Sequence, residues 1–278
     1  MAKLSETQRR FPDAAEDQAK WERQRDTPQT LSPSYRLAFA DFDFLKRDEL
    51  RPVRLQLELL KPELELQDRG IVSTVVVFGG ARIPERAEEA RAPGLAALAP
   101  YYDVAREFAR LVTLRSLESQ CTENVICGGG GPGVMEAASR GAAEAGGCSI
   151  SLNIVLPHEQ APNLYGTPEL SFNFHYFGIR KMTFLMRAKA IAVFPGGFGT
   201  LDELFETLTL IQTGRMAPMP ILLFGEAFWR RIIDWEALAD SGTISAEDLK
   251  LFRFVETAEE AMAILSSWPA EPADGPPA

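Results

Sequence analysis

At 278 residues the chain is long enough to bury a full core, as one large α/β domain or a domain with appendages. A formal charge of −10 and a pI near 4.9 speak against a nucleic-acid-binding surface, and no run approaches the roughly 20 apolar residues that cross a bilayer. Cys121, Cys127 and Cys148 are too irregularly spaced for a disulfide framework, and the start has no signal-peptide core, so a reducing, cytoplasmic setting is expected.

Residues 1–34 are rich in Gln, Arg, Asp, Glu and Pro and are expected to be a flexible N-terminus. Residues 35–70 read as a helical extension. Tyr35, Leu37, Phe39, Phe42 and Phe44 supply apolar anchors, and Pro52 opens a helical pattern that Pro62 closes. From residue 71 the pattern alternates. Strands are expected over 72–78, 123–127, 148–155, 171–175, 190–194 and 220–224. Helices are expected over 101–118, 133–146, 179–188, 200–213 and 227–239. Short apolar strands alternating with helices predict an α/β fold for 71–268: a doubly wound, Rossmann-like parallel sheet with helices on both faces and right-handed crossovers. Its ligand site belongs at the carboxyl ends of the strands. The Pro/Ala-rich stretch 269–278 is expected to be a disordered tail.

The run Pro195-Gly196-Gly197-Phe198-Gly199-Thr200-Leu201-Asp202-Glu203 follows a buried strand. It leads into a helix marked by Leu204, Phe205, Leu208 and Ile211. A helix N-terminus offers free N–H groups and a favourable dipole, so this turn is a candidate anion site. Glu203 beside it has two readings. It is an acid for chemistry on a phosphorylated molecule, or it closes a Thr200/Glu203 capping box. A second turn, Gly128-Gly129-Gly130-Gly131-Pro132-Gly133, also joins a strand to a helix. It reads as a phosphate cradle or as a tight, closely packed βα turn. It is a poor dinucleotide fingerprint, because it follows the second strand and lacks the acid ~20 residues on. It is not a Walker A loop either, which leaves a mononucleotide as the better ligand.

Arg180-Lys181 open the helix before the Pro195 strand. Cations there work against the helix dipole, so helix stability does not explain them. They grip a phosphate or carboxylate, or form a solvated pair. Arg82, after the first strand, points into the cleft or makes a surface salt bridge. Cys127 is expected to be a buried strand residue. His158 and His175 sit in no metal motif, and there is no G-x-S-x-G turn for a serine hydrolase.

Together, the Arg180-Lys181 pair, the P-G-G-x-G-T-x-x-E run from Pro195 to Glu203 and the G-G-G-x-x-G turn from Gly128 resemble the Lonely Guy (LOG) family of nucleoside 5′-monophosphate phosphoribohydrolases. The resemblance covers about residues 71–265 and is to the longer bacterial members. It implies hydrolysis of the N-glycosidic bond of AMP or an N6-modified AMP, giving free base and ribose 5-phosphate. Arg180 and Glu203 are then the catalytic pair. Gly196, Gly197, Gly199, Thr200 and Lys181 hold substrate, and Gly129, Gly130, Gly131 and Gly133 help to hold its phosphate. The resemblance implies no cofactor or metal, a small-molecule nucleotide as partner, and a homodimer or larger homo-oligomer. The loop Gly79-Gly80-Ala81-Arg82 departs from the Cys-Gly-Ser-Ser loop of many short plant-type members. The chain also resembles molybdenum-cofactor carrier proteins, which implies the alternative of a nucleotide- or pterin-binding carrier without turnover. Relatives have been called lysine decarboxylases, but no lysine here has the context of a pyridoxal Schiff base.

Overall fold

A computed structural model describes residues 11–157 and 161–268, and the chain falls into two compact units, Met1–Leu57 and Glu58–Ala278. The expected tail 269–278 and His158 lie outside the described residues. In the first unit, helix α1 (Ala14–Glu22) lies within the stretch expected to be flexible. It starts where the Asp13 side chain accepts the Glu16 N–H, an N-cap that uses one of the amides left over at a helix start. A short helix α2 (Phe42–Leu45) is capped in the same way by Asp41. No described residue of this unit is buried, and Phe39, Phe42 and Phe44 are exposed.

Helix α3 (Arg51–Asp68) crosses the border between the units and corrects one expectation: Pro62 does not close it. Proline removes one hydrogen bond, but strong helix formers flank it, and burial of Pro62 and Leu66 offsets the loss.

The second unit is built on seven parallel strands: β1 (Thr74–Phe78), β2 (Val125–Gly128), β3 (Ser149–Ile154), β4 (Ser171–Phe174), β5 (Ala188–Val193), β6 (Ile221–Phe224) and β7 (Arg253–Val255). The helices between and after them are α4 (Pro93–Ala96), α5 (Pro100–Leu117), α6 (Val134–Glu144), α7 (Phe177–Leu185), α8 (Phe198–Gln212), α9 (Glu226–Ile232), α10 (Trp235–Asp240) and α11 (Ala258–Ser267). Alternation of side chains along the strands sorts the core into two layers. Val76, Phe78, Ile191 and Val193 pack with Phe184, Leu204, Trp229 and Trp235 on one face. Val75, Val77, Ala190 and Ala192 pack with Phe108, Val112, Ala138 and Ala261 on the other. This is the doubly wound α/β sheet expected from the strand and helix pattern.

Two features were not expected. Residues 227–239 form two helices, because the chain turns extended at Ile233 and the Asp234 side chain caps α10 through Ala237 N–H. β7 and α11 add a seventh strand and a final helix. β7 is three residues long and begins with exposed Arg253, so its apolar signal is weak. The start of α11 did carry a signal, the capping box of Thr257 and Glu260.

The sheet order is β4-β3-β2-β1-β5-β6-β7. The chain adds strands outward from β1 on one side, then crosses over to continue from β5 on the other. The loops after β1 and β5 therefore part at their carboxyl ends, the place where doubly wound sheets open a crevice. Among the described residues, no helix is long and apolar enough to cross a membrane.

Phe194, at the end of β5, is fully buried and stacks on Phe224 at 4.1 Å, whereas Phe198 is 93% exposed. Phe194→Ala is expected to cost about 3–5 kcal/mol of stability and Phe198→Ala less than about 0.5 kcal/mol. Urea denaturation of both variants checks the contrast.

Candidate active site

The turn after β5 runs from buried Pro195 straight into α8, whose N-cap is Gly197 in an extended conformation (φ −99, ψ −152). A side chain on Gly196 would overlap Oγ1 of buried Thr200, so the close approach of turn to helix requires glycine there. Gly197 and Gly199 differ: a Cβ on either would meet no described residue within 4 Å. Inside the first turn, glycine at 199 costs roughly 0.5–1 kcal/mol against alanine, whereas at the N-cap, 197, glycine is favoured over alanine.

The helix begins earlier than expected, at Phe198, and this overturns the capping-box reading of Glu203. Thr200 is the third helical residue instead of the cap, and no side chain caps α8. Glu203 sits well inside the helix, out of reach of the N-cap amide. Glu203 is 7% exposed, and Oε2 has no hydrogen-bond partner among the described residues. Burial pushes its pKa up to about 7; Lys181 and Arg180 pull it down, while Glu206 and Asp202 add to the rise. A buried carboxyl oxygen without a donor costs about 1–3 kcal/mol, so the fold is not what keeps it there. A buried carboxyl with a strongly perturbed pKa and specific charged neighbours makes Glu203 a candidate for a functional role.

Arg180 and Lys181 come from α7. Arg180 Nε donates to Leu152 O at 2.7 Å, and its guanidinium carbon stands 5.1 Å over the Phe184 ring. A Cβ on Gly129 would lie 2.8 Å from Arg180 Nη2, so the guanidinium rests on the Gly128–Gly133 turn. The structure thus sets Arg180 against the second glycine turn, near enough for its charge to lower the Glu203 pKa. Lys181 Nζ lies 2.9 Å from Asp202 Oδ2 and 3.2 Å from Glu206 Oε2. Burial works against its charge, but hydrogen bonds to Asp202 and Glu206 outweigh it and raise its pKa. Lys181 therefore pins α7 to α8 on either side of Glu203, a role its place in the sequence did not reveal.

In the second turn, internal packing explains more of the glycines. Gly130 (φ +75) and Gly133 (φ +69) take backbone angles that favour glycine, and a side chain on them would overlap Asn153 and Gly80 O respectively. Gly129, Gly130, Gly131 and Gly133 are all buried, and Gly133 is the N-cap of α6. Asn163 holds the turn from outside. Its Nδ2 donates to Gly130 O at 3.0 Å and Gly131 O at 3.2 Å, and its backbone N–H donates to Gly130 O at 2.8 Å. A trans peptide sets N–H opposite C=O, so the Gly131 N–H turns away from Asn163. The Asn-x-x-Gly spacing of Asn163 and Gly166 is a turn signal that could have drawn attention to it.

Gly80, after β1, joins the turns. Its N–H donates to Pro195 O at 2.9 Å, and its carbonyl accepts the Val134 N–H at 3.3 Å. Arg82 on the same loop is exposed, as is His175. Cys127 is buried, and burial pushes its thiol up to about 12, which rules it out as a nucleophile at neutral pH. Among the described residues, no group of three or more His, Cys, Asp or Glu is placed to hold a metal ion.

A family model described as "Possible lysine decarboxylase" matches residues 135–265, a stretch that holds Arg180, Lys181 and residues 195–203. The cytokinin riboside 5′-monophosphate phosphoribohydrolase LOG5 of Arabidopsis thaliana is 25% identical over 171 residues, covering 60% of this chain and 71% of that one. A probable cytokinin riboside 5′-monophosphate phosphoribohydrolase, LOG4 of Oryza sativa subsp. japonica, is 25% identical over 201 residues, covering 71% and 78%. Among solved structures, the molybdenum cofactor binding protein from the phototrophic bacterium Rippkaea orientalis is similar at 18% identity and a TM-score of 0.44, covering 70% of this chain and 96% of that one. A likeness at that level decides nothing about activity.

The buried Glu203 carboxyl also makes a stability prediction. Its pKa is raised in the folded chain above the unfolded value, so the folded state holds a proton that the unfolded state releases. Stability from this group is full below pH ~4.5 and is lost as pH rises towards 7. Glu203→Gln is expected to stabilise the protein by on the order of 2 kcal/mol at pH 8 and far less at pH 5. Urea denaturation at the two pH values measures the difference.

Proposed function

We propose that the chain, similar over residues 135–265 to one family model and at 24–25% identity to LOG phosphoribohydrolases, is a member of the LOG family and hydrolyses the N-glycosidic bond of a nucleoside 5′-monophosphate, AMP or an N6-modified AMP, giving free base and ribose 5-phosphate. The observation that carries this reading is the buried Glu203 carboxyl, whose Oε2 has no hydrogen-bond partner among the described residues and whose charge Lys181 and Arg180 favour, one turn below an open glycine turn. The phosphate binds the first amides of α8, where Gly197 and Gly199 let it approach the backbone. Breaking the bond between C1′ and the base nitrogen leaves the electron pair on the base and positive charge on the ribose. The Glu203 carboxylate faces that charge and takes a proton from the water that attacks C1′. The departing base takes a proton from solvent, and Glu203 afterwards releases to solvent the proton it took, so one water is consumed per bond broken. Arg180, held by Leu152 and Phe184, is rigid enough to orient the nucleotide.

The lysine-decarboxylase description does not fit the residues. A Schiff-base lysine must lose its proton to attack a carbonyl, and Lys181 is held as an ammonium by Asp202 and Glu206. Lys189 is exposed.

The same proposal includes a cytosolic homodimer or larger homo-oligomer. Met182 and Met186 on α7 and Phe205 on α8 are exposed apolar side chains on the helices that carry the site, which suits a subunit contact. Sedimentation of the purified chain is expected to give a dimer or larger species, and a monomer at micromolar concentration rejects the assembly.

Base release from AMP, GMP, CMP, UMP and N6-modified AMP tests the activity. Adenine nucleotides are expected to turn over, and Glu203→Gln or Arg180→Ala to lower kcat at least about 100-fold in a folded protein. kcat/KM is expected to rise with pH through an acid limb near 7, as Glu203 loses its proton, and Glu203→Gln is expected to abolish the limb. Gly199→Ala is expected to keep or slightly raise stability while raising KM. Tight nucleotide binding without release across the panel would instead identify a carrier.

A further inference from the structure

Helix α7 carries Arg180 and Lys181 near its N-terminus, yet its own sequence supplies no cap. Its N-cap residue is Tyr176, no side chain near it caps the helix, and there is no acid in its first turn. Two cations near the positive end of a helix dipole need compensation. It comes from a distant part of the chain. Glu58, a half-buried residue of α3, accepts the His175 N–H on Oε1 at 2.8 Å and the Tyr176 N–H on Oε2 at 3.1 Å. One carboxylate thus holds two successive amides where the chain leaves β4 and enters α7.

We infer that Glu58 is a positioning residue for the Arg180-Lys181 pair, capping their helix from α3 and fixing where its first turn begins. The connection is short. Glu58 grips Tyr176, and the Arg180 N–H donates to Tyr176 O at 3.2 Å, one helical turn on. From there Arg180 reaches Leu152 O, and Lys181 reaches Asp202 and Glu206 beside Glu203. α3 is held separately at Glu63, which pairs with Arg187 just past the end of α7, and by burial of Pro62 and Leu66. Loss of the Glu58 carboxylate therefore frees the start of α7 without releasing α3. In this way a helix lying before the first strand of the sheet takes part in the site without touching the nucleotide.

The kinetic consequence rests on the proposed activity, while the capping itself is read without it. The test compares Glu58→Ala and Glu58→Gln with Glu63→Ala in the full chain. Hydrogen exchange of the 175–181 amides is expected to quicken about 10-fold in Glu58→Ala, the factor for losing a charge-assisted hydrogen bond. It should quicken less in Glu58→Gln, which keeps one acceptor oxygen. kcat/KM for AMP is expected to fall about 10-fold in Glu58→Ala. Its acid limb should move to higher pH as the Arg180 charge withdraws from Glu203, which Lys181, Asp202 and Glu206 also face. Glu63→Ala is expected to lower Tm but leave kcat/KM within about 2-fold and the limb in place. Unchanged exchange at 175–181 in Glu58→Ala, or an equal kinetic loss in Glu63→Ala, overturns the inference. If the wild-type chain releases no base from any nucleotide, the activity falls, and exchange at 175–181 alone decides the role of Glu58.

Discussion

Everything at the site turns on placing the Glu203 carboxyl out of water with no hydrogen-bond donor for Oε2 among the described residues. Burial raises the free energy of its charged form, while Lys181 and Arg180 lower it, so the group is poised near neutrality. The surrounding structure is arranged to keep this balance. α8 must start at Phe198 to sink Glu203, and this needs glycine at 196 against Thr200. α7 must present its cations, and this needs a cap from α3 and the tie of Lys181 to Asp202 and Glu206.

The sheet supplies the stage. Two layers of apolar side chains bury the central strands on both faces, so their carboxyl ends are rigid platforms for loops. The break in strand order between β1 and β5 parts the loops, and the Gly80 bond to Pro195 sets how far. The two glycine turns look alike in the sequence but serve different needs. The turn after β2 has its glycines largely because the chain packs on itself, at Asn153, Gly80 and the Arg180 guanidinium. The turn after β5 has glycines at 197 and 199 where an added side chain would meet no described residue.

Much of the fold was legible because strands buried on both faces are written as continuous apolar runs, and the helices between them as a 3.6-residue period. Elements that escaped had weak or contrary local signals. β7 is three residues with an exposed arginine, and α3 runs on through a proline whose burial outweighs its lost hydrogen bond. At the site, Arg180, Glu203 and the glycines were visible as residue types at telling spacings. Asn163, Asn153 and Glu58 were not, since an asparagine or glutamate on a loop or helix is ordinary until its partner is known.

The sequence alone determined the parallel α/β class, the two glycine turns, and the presence of an acid and a basic pair near them, because these depend on local periodicity and spacing. It left Glu203 divided between a helix cap and an acid for chemistry, since Thr200-x-x-Glu203 satisfies both patterns. Only the tertiary structure decided against the cap, by starting α8 before Thr200 and closing α7 over the carboxyl. Spacing along one chain cannot report such contacts. The carboxylate that caps the arginine's helix lies 118 residues from the amide it holds, and only folding brings the two within a hydrogen bond.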